Sequence, residues 1–295
     1  LEQIFFIFFL LSLGYSLKFF DFPKNFSQSL NLFVIYVSLP ATILIQIPKI
    51  NFNSTFIMSV ITPYVVFFIS ILFVYLFFKN VQKDIKASLY LLLPLGNTSF
   101  FGFPMLEALI GKEAIPYGIV YDQFGSFVLL SIYGSFVIAK FSGNHVTLNQ
   151  MAKKIFIFPP FIFLFLAFIF ADIPKIILPF LELLAKTLIP LAIISVGFSM
   201  SLKLQNDKNI FVKFMLIKLL IIPTIIFGIF KLIGFEGIGA ITILLESAMP
   251  PMITAGALAI SAGFAPKFTA SIVGYGIIFG IFTLSFWKFI YLYYS

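Results

Sequence analysis

Long runs of this chain contain no charged residue, among them 25–48, 50–78, 87–106, 187–202 and 268–287. Each approaches or exceeds the roughly 18 to 20 residues that a helix needs to cross the hydrocarbon of a bilayer. In that medium an unpaired backbone group is so costly that the chain must close its hydrogen bonds within helices or a sealed barrel. None of the runs alternates as a barrel strand does. Composition agrees, with 61% hydrophobic and 10% charged residues where a soluble domain carries about one quarter charged. The expectation is an all-α integral membrane protein.

About ten spans can be placed, near 3–20, 27–47, 54–78, 86–110, 114–140, 154–172, 175–202, 209–233, 237–262 and 267–293. The opening segment has neither the basic start nor the cleavage site of a secretory signal, and reads as the first span. A polar linker at 141–153 divides the chain near its midpoint.

The formal charge of +8 comes from lysine alone, as the chain has no arginine. That speaks against nucleic acid as a partner, because arginine's planar fork is what phosphate and base recognition usually recruits. Instead the lysines sort by loop. Lys18, Lys24, Lys79, Lys83, Lys86, Lys140, Lys153, Lys154, Lys203, Lys208, Lys213 and Lys267 fall on one side, and only Lys49, Lys112, Lys175, Lys231 and Lys288 on the other. The positive-inside rule then places both termini outside the cytoplasm, with the inner (plasma) membrane as the expected location. Cysteine is absent and the single histidine, His145, sits in the polar linker. Thiolate, zinc and triad chemistry therefore have no residues to use, and no phosphate-binding Gly-x-x-x-x-Gly-Lys-Ser/Thr occurs. The chain is not expected to be an enzyme. An ATP-driven pump would need a soluble motor, for which these residues leave no room, so coupling to an ion gradient is what remains.

Two stretches break the apolar pattern from within. Gly96-Asn97-Thr98-Ser99-Phe100-Phe101-Gly102-Phe103-Pro104 interrupts the fourth span, and Glu246-Ser247-Ala248-Met249-Pro250-Pro251 interrupts the ninth. Glycine frees the backbone, and proline withdraws a donor and clashes with a continuing helix. Freed carbonyls and the side chains of Asn97, Thr98 and Ser99 can then coordinate a cation or hydrogen-bond a carboxylate. The bland alternative is a kinked helix whose hydroxyls bond back to their own turn. Glu246 is the most informative ionisable residue, because a carboxylate at membrane depth must be protonated, paired or bound to a cation. Asp122, in Tyr121-Asp122-Gln123-Phe124-Gly125, is a second proton or cation candidate, with a helix-end role equally open. Glu182 and Lys186 stand at i, i+4 and read first as an intrahelical ion pair. Lys218, flanked by apolar residues, reads as snorkelling toward the lysine-rich surface.

An offset near 150 relates the halves. Ser38-Leu39-Pro40-Ala41 answers Leu188-Ile189-Pro190-Leu191, and Gly96-Asn97-Thr98 falls level with Glu246-Ser247-Ala248. Five spans repeated with inverted topology fit this pattern, a plan that puts the ligand site near the bilayer midplane at the repeat interface. The predicted divisions are an N-terminal repeat over 1–140 and an inverted repeat over 154–295.

With these residues in place, the chain resembles the bacterial auxin efflux carriers, relatives of the plant PIN auxin transporters and of the sodium/bile acid symporters. The two broken stretches and Ala114-Ile115-Pro116-Tyr117 through Asp122 carry the resemblance. It implies a scaffold of spans 1, 2, 6 and 7, a mobile core of spans 3–5 and 8–10, crossing helices 4 and 9, and elevator-like movement. It also implies that Asn97 meets an organic anion while Pro104, Pro250 and Pro251 shape the crossover. Glu246-Ser-Ala-Met is similar to the stretch of the bile acid symporters whose glutamate binds sodium. The long cytoplasmic loop of the plant proteins has no counterpart.

The expected function is a secondary active transporter of a small carboxylate, coupled to sodium or protons. Substrate contacts are assigned to Asn97, Thr98, Ser99, Gly102, Pro104, Pro250, Pro251 and Thr254, and coupling to Glu246, Asp122, Ser247 and Met249. A sodium ion at Glu246 is left open as the one cofactor, and a homodimer through the scaffold as a partner beside the lipid bilayer. A membrane sensor that kept the carrier fold is the alternative, distinguished by ligand binding without counterflow in proteoliposomes.

Overall fold

The computed structural model describes residues 2–23, 25–143, 147–170, 173–203 and 207–294; Lys24 and, in the polar linker, Asn144 and His145 lie outside them. Among the described residues every regular element is helical, apart from an isolated antiparallel bridge between Gly96 and Pro251. Seven helices of the described residues are long and apolar enough to cross a membrane: α1 (Glu2–Phe19), α2 (Phe26–Lys49), α3 (Ser54–Phe77), α6 (Lys112–Ser142), α9 (Leu178–Ser199), α10 (Lys208–Ile233) and α13 (Pro266–Tyr294). An eighth span results if α7 (Leu148–Phe156) and α8 (Pro159–Ile169), which meet at a 58° bend, are taken together. The stretches expected as the fourth and ninth spans are each in two pieces. They are α4 (Lys83–Leu92) with α5 (98–109), and α11 (Ile238–Ser247) with α12 (Ile253–Ser261). At 1.5 Å per residue none of these pieces alone bridges roughly 30 Å of hydrocarbon.

Proline explains much of the local geometry, because each one leaves the carbonyl four residues back without its donor. Pro223 leaves Leu219 C=O free, and the Trp287 indole donates to it at 2.9 Å. Pro94 leaves Tyr90 C=O free, and the Tyr133 hydroxyl donates to it at 3.0 Å. Side chains from other helices thus replace what the prolines remove, as a backbone in lipid requires.

The helices pack in two groups. In one, α1, α2, α8 and α9 lie against each other. Ser38 Oγ meets Thr187 Oγ1 at 2.6 Å, and Ser195 Oγ donates to Asn31 Oδ1 at 2.5 Å, so the α2–α9 seam is pinned by hydroxyls. Where α1 crosses α9, a Cβ on Gly14 would stand 2.2 Å from Ile194 C=O, and one on Gly197 2.2 Å from Leu11 C=O. Glycine on both sides is what lets the backbones approach so closely. The second group gathers α3, α4, α6 and α10–α13. α5 lies between the groups, touching α1 and α9 on one side and α6 on the other. Large apolar side chains such as Phe5, Phe68, Phe180 and Phe282 point outward, as a surface bathed in acyl chains allows.

Candidate functional site

Both interruptions arise where the sequence withholds backbone donors. Pro94 precedes the first, and Pro250-Pro251 forms the second. The freed strands turn to each other: Asn97 N–H donates to Pro250 C=O at 2.8 Å, and Met252 N–H donates to Leu95 C=O at 3.0 Å. Asn97 C=O accepts Gly102 N–H at 2.9 Å, which closes the start of α5. The two breaks are therefore one structure.

The polar groups around the join come largely from helical turns of the wide, π type. Thr98–Gly102, Tyr121–Phe127 and Ile217–Ile221 are such turns, and they carry Thr98, Asp122 with Gln123, and Lys218. A π-turn inserts a residue and re-aims the side chains beyond it, which is why such turns collect at functional sites.

Asp122 is buried and held from two directions. Thr98 Oγ1 donates to its Oδ1 at 2.5 Å, and Gln123 Nε2 to its Oδ2 at 2.7 Å. Thr98→Val is expected to lower stability by about 1–3 kcal/mol by orphaning one carboxyl oxygen. Thermal unfolding checks this, with Thr98→Ser retaining the parent's midpoint.

Glu246 is the opposite case. It is 1% exposed, and neither carboxyl oxygen has a hydrogen-bond partner. Glycines make its room: a Cβ on Gly118 would lie 3.0 Å from Oε1, and one on Gly102 3.2 Å from Oε2. The Asn97 amide nitrogen and Gln123 Oε1 are also buried without partners. Buried polar atoms are nearly always paired, so these four call for partners that the surrounding protein does not supply, whether water, ion or substrate. Among the described residues no group of three or more His, Cys, Asp or Glu can hold a metal ion. Oxygens from one carboxyl and from freed carbonyls nevertheless suit a proton or a hard monovalent cation.

Two cavities lie nearby. A small one of about 10 Å³, near the size a single water needs, is lined by Pro63, Gly96, Thr98, Tyr121, Lys218 and Glu246 among others. A larger one of about 630 Å³ opens between α1, α2 and α9 on one side and α5 and α6 on the other. Its ionisable lining is Lys49, Lys112, Lys186, Glu107 and Glu182, and it includes Pro104.

The remaining expected site residues are spread unevenly. Gly102, Met249, Pro250 and Pro251 are buried at or beside the join. Ser247 is buried too, but its hydroxyl donates back to Leu244 C=O at 2.6 Å, the bland alternative for a helix hydroxyl. Ser99 is half-buried, while Thr254 is exposed on α12 and lines neither cavity.

Two expectations are corrected. Lys218 does not snorkel: it is 1% exposed, and its Nζ donates to Leu93 C=O at 2.9 Å. The break itself draws it inward, because Asn97 N–H, which a continuous helix would give to Leu93, is spent on Pro250. Glu182 and Lys186 form no ion pair, and both face the larger cavity; among the described residues the ion pair is Lys231–Glu236 at 2.9 Å. Gln123 and Gly118 were not singled out from sequence. Only the neighbour Asp122 signalled the first, and nothing in the sequence marks a glycine that faces a carboxyl from another helix.

Over residues 1–288 the chain matches the family described as Membrane transport protein. It belongs to that family, the auxin efflux carriers. A protein named as an uncharacterized transporter from Methanocaldococcus jannaschii is 31% identical to it over 270 residues, covering 85% of each chain. A second uncharacterized transporter, from Methanothermobacter thermautotrophicus, is 26% identical over 196 residues, covering 65% of this chain and 64% of its own. This membrane transport protein is therefore an integral membrane protein, and its paired breaks are the natural place to look for the transported species.

Proposed function

We propose that the chain is a secondary active transporter of a small organic carboxylate, coupled to sodium or protons, with substrate and coupling ion meeting at the paired breaks. One observation carries the reading. Two interrupted helices are stitched together through their main chains, and the Asn97 amide and both Glu246 oxygens are buried there without partners. An amide N–H suits a carboxylate, and an orphaned carboxyl suits a cation. The names of the two archaeal relatives support transport without naming a cargo.

In this reading α4–α5 and α11–α12 are the crossing fourth and ninth of ten spans in two inverted repeats, 1–140 and 154–295. The group of α1, α2, α8 and α9 is the scaffold, joined by α7, and the other group is the core that slides against it. The larger cavity then lies on the seam between fixed and moving parts. Its Lys49 and Lys112 belong to the lysine-poor side, so it opens on the non-cytoplasmic face, the face on which both termini also lie. Lipid covers the outward-facing apolar side chains, and any homodimer forms through the scaffold.

The test is thermal unfolding of the purified chain across mono- and dicarboxylates, with and without sodium and at two pH values. A carboxylate at about 100 times its dissociation constant stabilises the folded state by about 2.7 kcal/mol. The expected result is a midpoint rise with at least one carboxylate that sodium or acid enlarges. No shift with any of them overturns the anion assignment.

A further inference from the structure

The two breaks are asymmetric in charge. α4 and α11 both run into the join with their C-terminal ends, and a helix's C-terminal end carries partial negative charge from carbonyls that lack donors. At the α4 end a cation is already present: Lys218 Nζ donates to Leu93 C=O at 2.9 Å, and Gly96 lies beside the ammonium, where even a Cβ would make only an ordinary 3.7 Å contact with it. At the α11 end the sequence does the reverse. Pro250 and Pro251 withhold the N–H groups that a continuing helix would give Glu246 and Ser247; Met249 N–H reaches Glu246 C=O at 3.2 Å instead, but the Glu246 side chain adds two oxygens with no partner. Lys218 and Glu246 both line the small cavity yet make no ion pair with each other.

An ammonium at full burial is costly unless something on the other side needs it. Here what needs it is the Leu93 carbonyl at a negative helix end, which has lost its helical donor, keeps only a long 3.4 Å contact from the Ser70 hydroxyl besides the lysine, and is what a free monovalent cation would otherwise serve. We propose that Lys218 is a tethered cation that permanently fills the α4 end of the paired breaks, leaving one exchangeable cation seat, at Glu246. This deepens the coupling reading above and rests on it. Its consequence is that a single mobile cation loads the site, and that removing the lysine opens a second seat.

The probe is the cation itself. Thermal unfolding of the full purified chain is compared in choline, sodium, potassium and lithium chlorides at matched ionic strength. Lys218→Met and Lys218→Gln are expected to melt lower than the parent in choline and to gain a second cation response beyond the parent's own. Their midpoints should rise by about 5 °C at saturating small cation, as binding to the folded state alone requires. Lys218→Ala should respond likewise to methylammonium, which restores the missing group. If Lys218→Ala does not fold in choline, the yield of folded protein in methylammonium or sodium becomes the readout, and it should rise about tenfold or more, a 1.4 kcal/mol effect. Neutral variants with the parent's own cation response, and no recovery by methylammonium or sodium, overturn the proposal. The coupling reading fails separately: it falls if Glu246→Gln leaves the parent's response to sodium and pH intact, whatever the Lys218 variants do.

Discussion

Glu246→Gln is expected to cut gradient-driven uptake by about a hundredfold or more, because a cation that no longer distinguishes two states of the carrier cannot shift their balance. The purified variant should keep its helical content and a single gel-filtration peak. Glutamine has the size of glutamate, so the gap framed by Gly102 and Gly118 still fits it. Removing an unpartnered buried charge is neutral or stabilising rather than disruptive. What glutamine cannot do is bind and release a proton or offer a charged ligand to sodium. A permanently protonated structural glutamate predicts the opposite result, since glutamine mimics it well. Uptake in proteoliposomes under imposed sodium and pH gradients decides between them, and undiminished uptake would end the coupling role.

The second large effect concerns the fold. Gly14→Ala and Gly197→Ala are each expected to destabilise by about 2–3 kcal/mol or more, at or beyond the upper end for overpacking. The added methyl would fall 2.2 Å from a carbonyl oxygen of the facing helix in either case. A flexible side chain can turn away from such a contact, but a carbonyl within a helix cannot, so α1 and α9 must separate. Gly228→Ala is the control, for a Cβ there meets nothing within 4 Å. It should leave the midpoint unchanged or raise it slightly, because alanine is the better helix former. Midpoints for Gly14→Ala equal to the parent's would show that the crossing is looser than described.

Much of this was legible in the chain. Charge-free runs fixed the fold class, since hydrocarbon tolerates few alternatives. Both breaks were visible because proline and glycine act on their own residues and the next, and local effects are written locally. Asp122 and Glu246 stood out as carboxyls at depth. What sequence did not disclose was assembly. That Thr98 rather than water satisfies Asp122 depends on how α5 meets α6. Lys218 looked like a surface-seeking side chain because its partner, Leu93 C=O, lies 125 residues away in the sequence and loses its helical donor only at the break. Glu182 and Lys186 have the spacing of an ion pair, yet spacing says nothing of the large cavity that both face.

The join of the two breaks is held by Asn97 N–H to Pro250 C=O and Met252 N–H to Leu95 C=O, groups that every residue able to donate or accept there would supply. The hydrogen bonds of the frame thus do not depend on which side chains Leu95 and Met252 carry, although both are buried and packed in the core, whereas the polar contacts inside the site depend wholly on side-chain identity. If cargo binds at the paired breaks as proposed, its identity can be changed through side chains such as Asn97 and Asp122 while the main-chain join between the two helices stays the same.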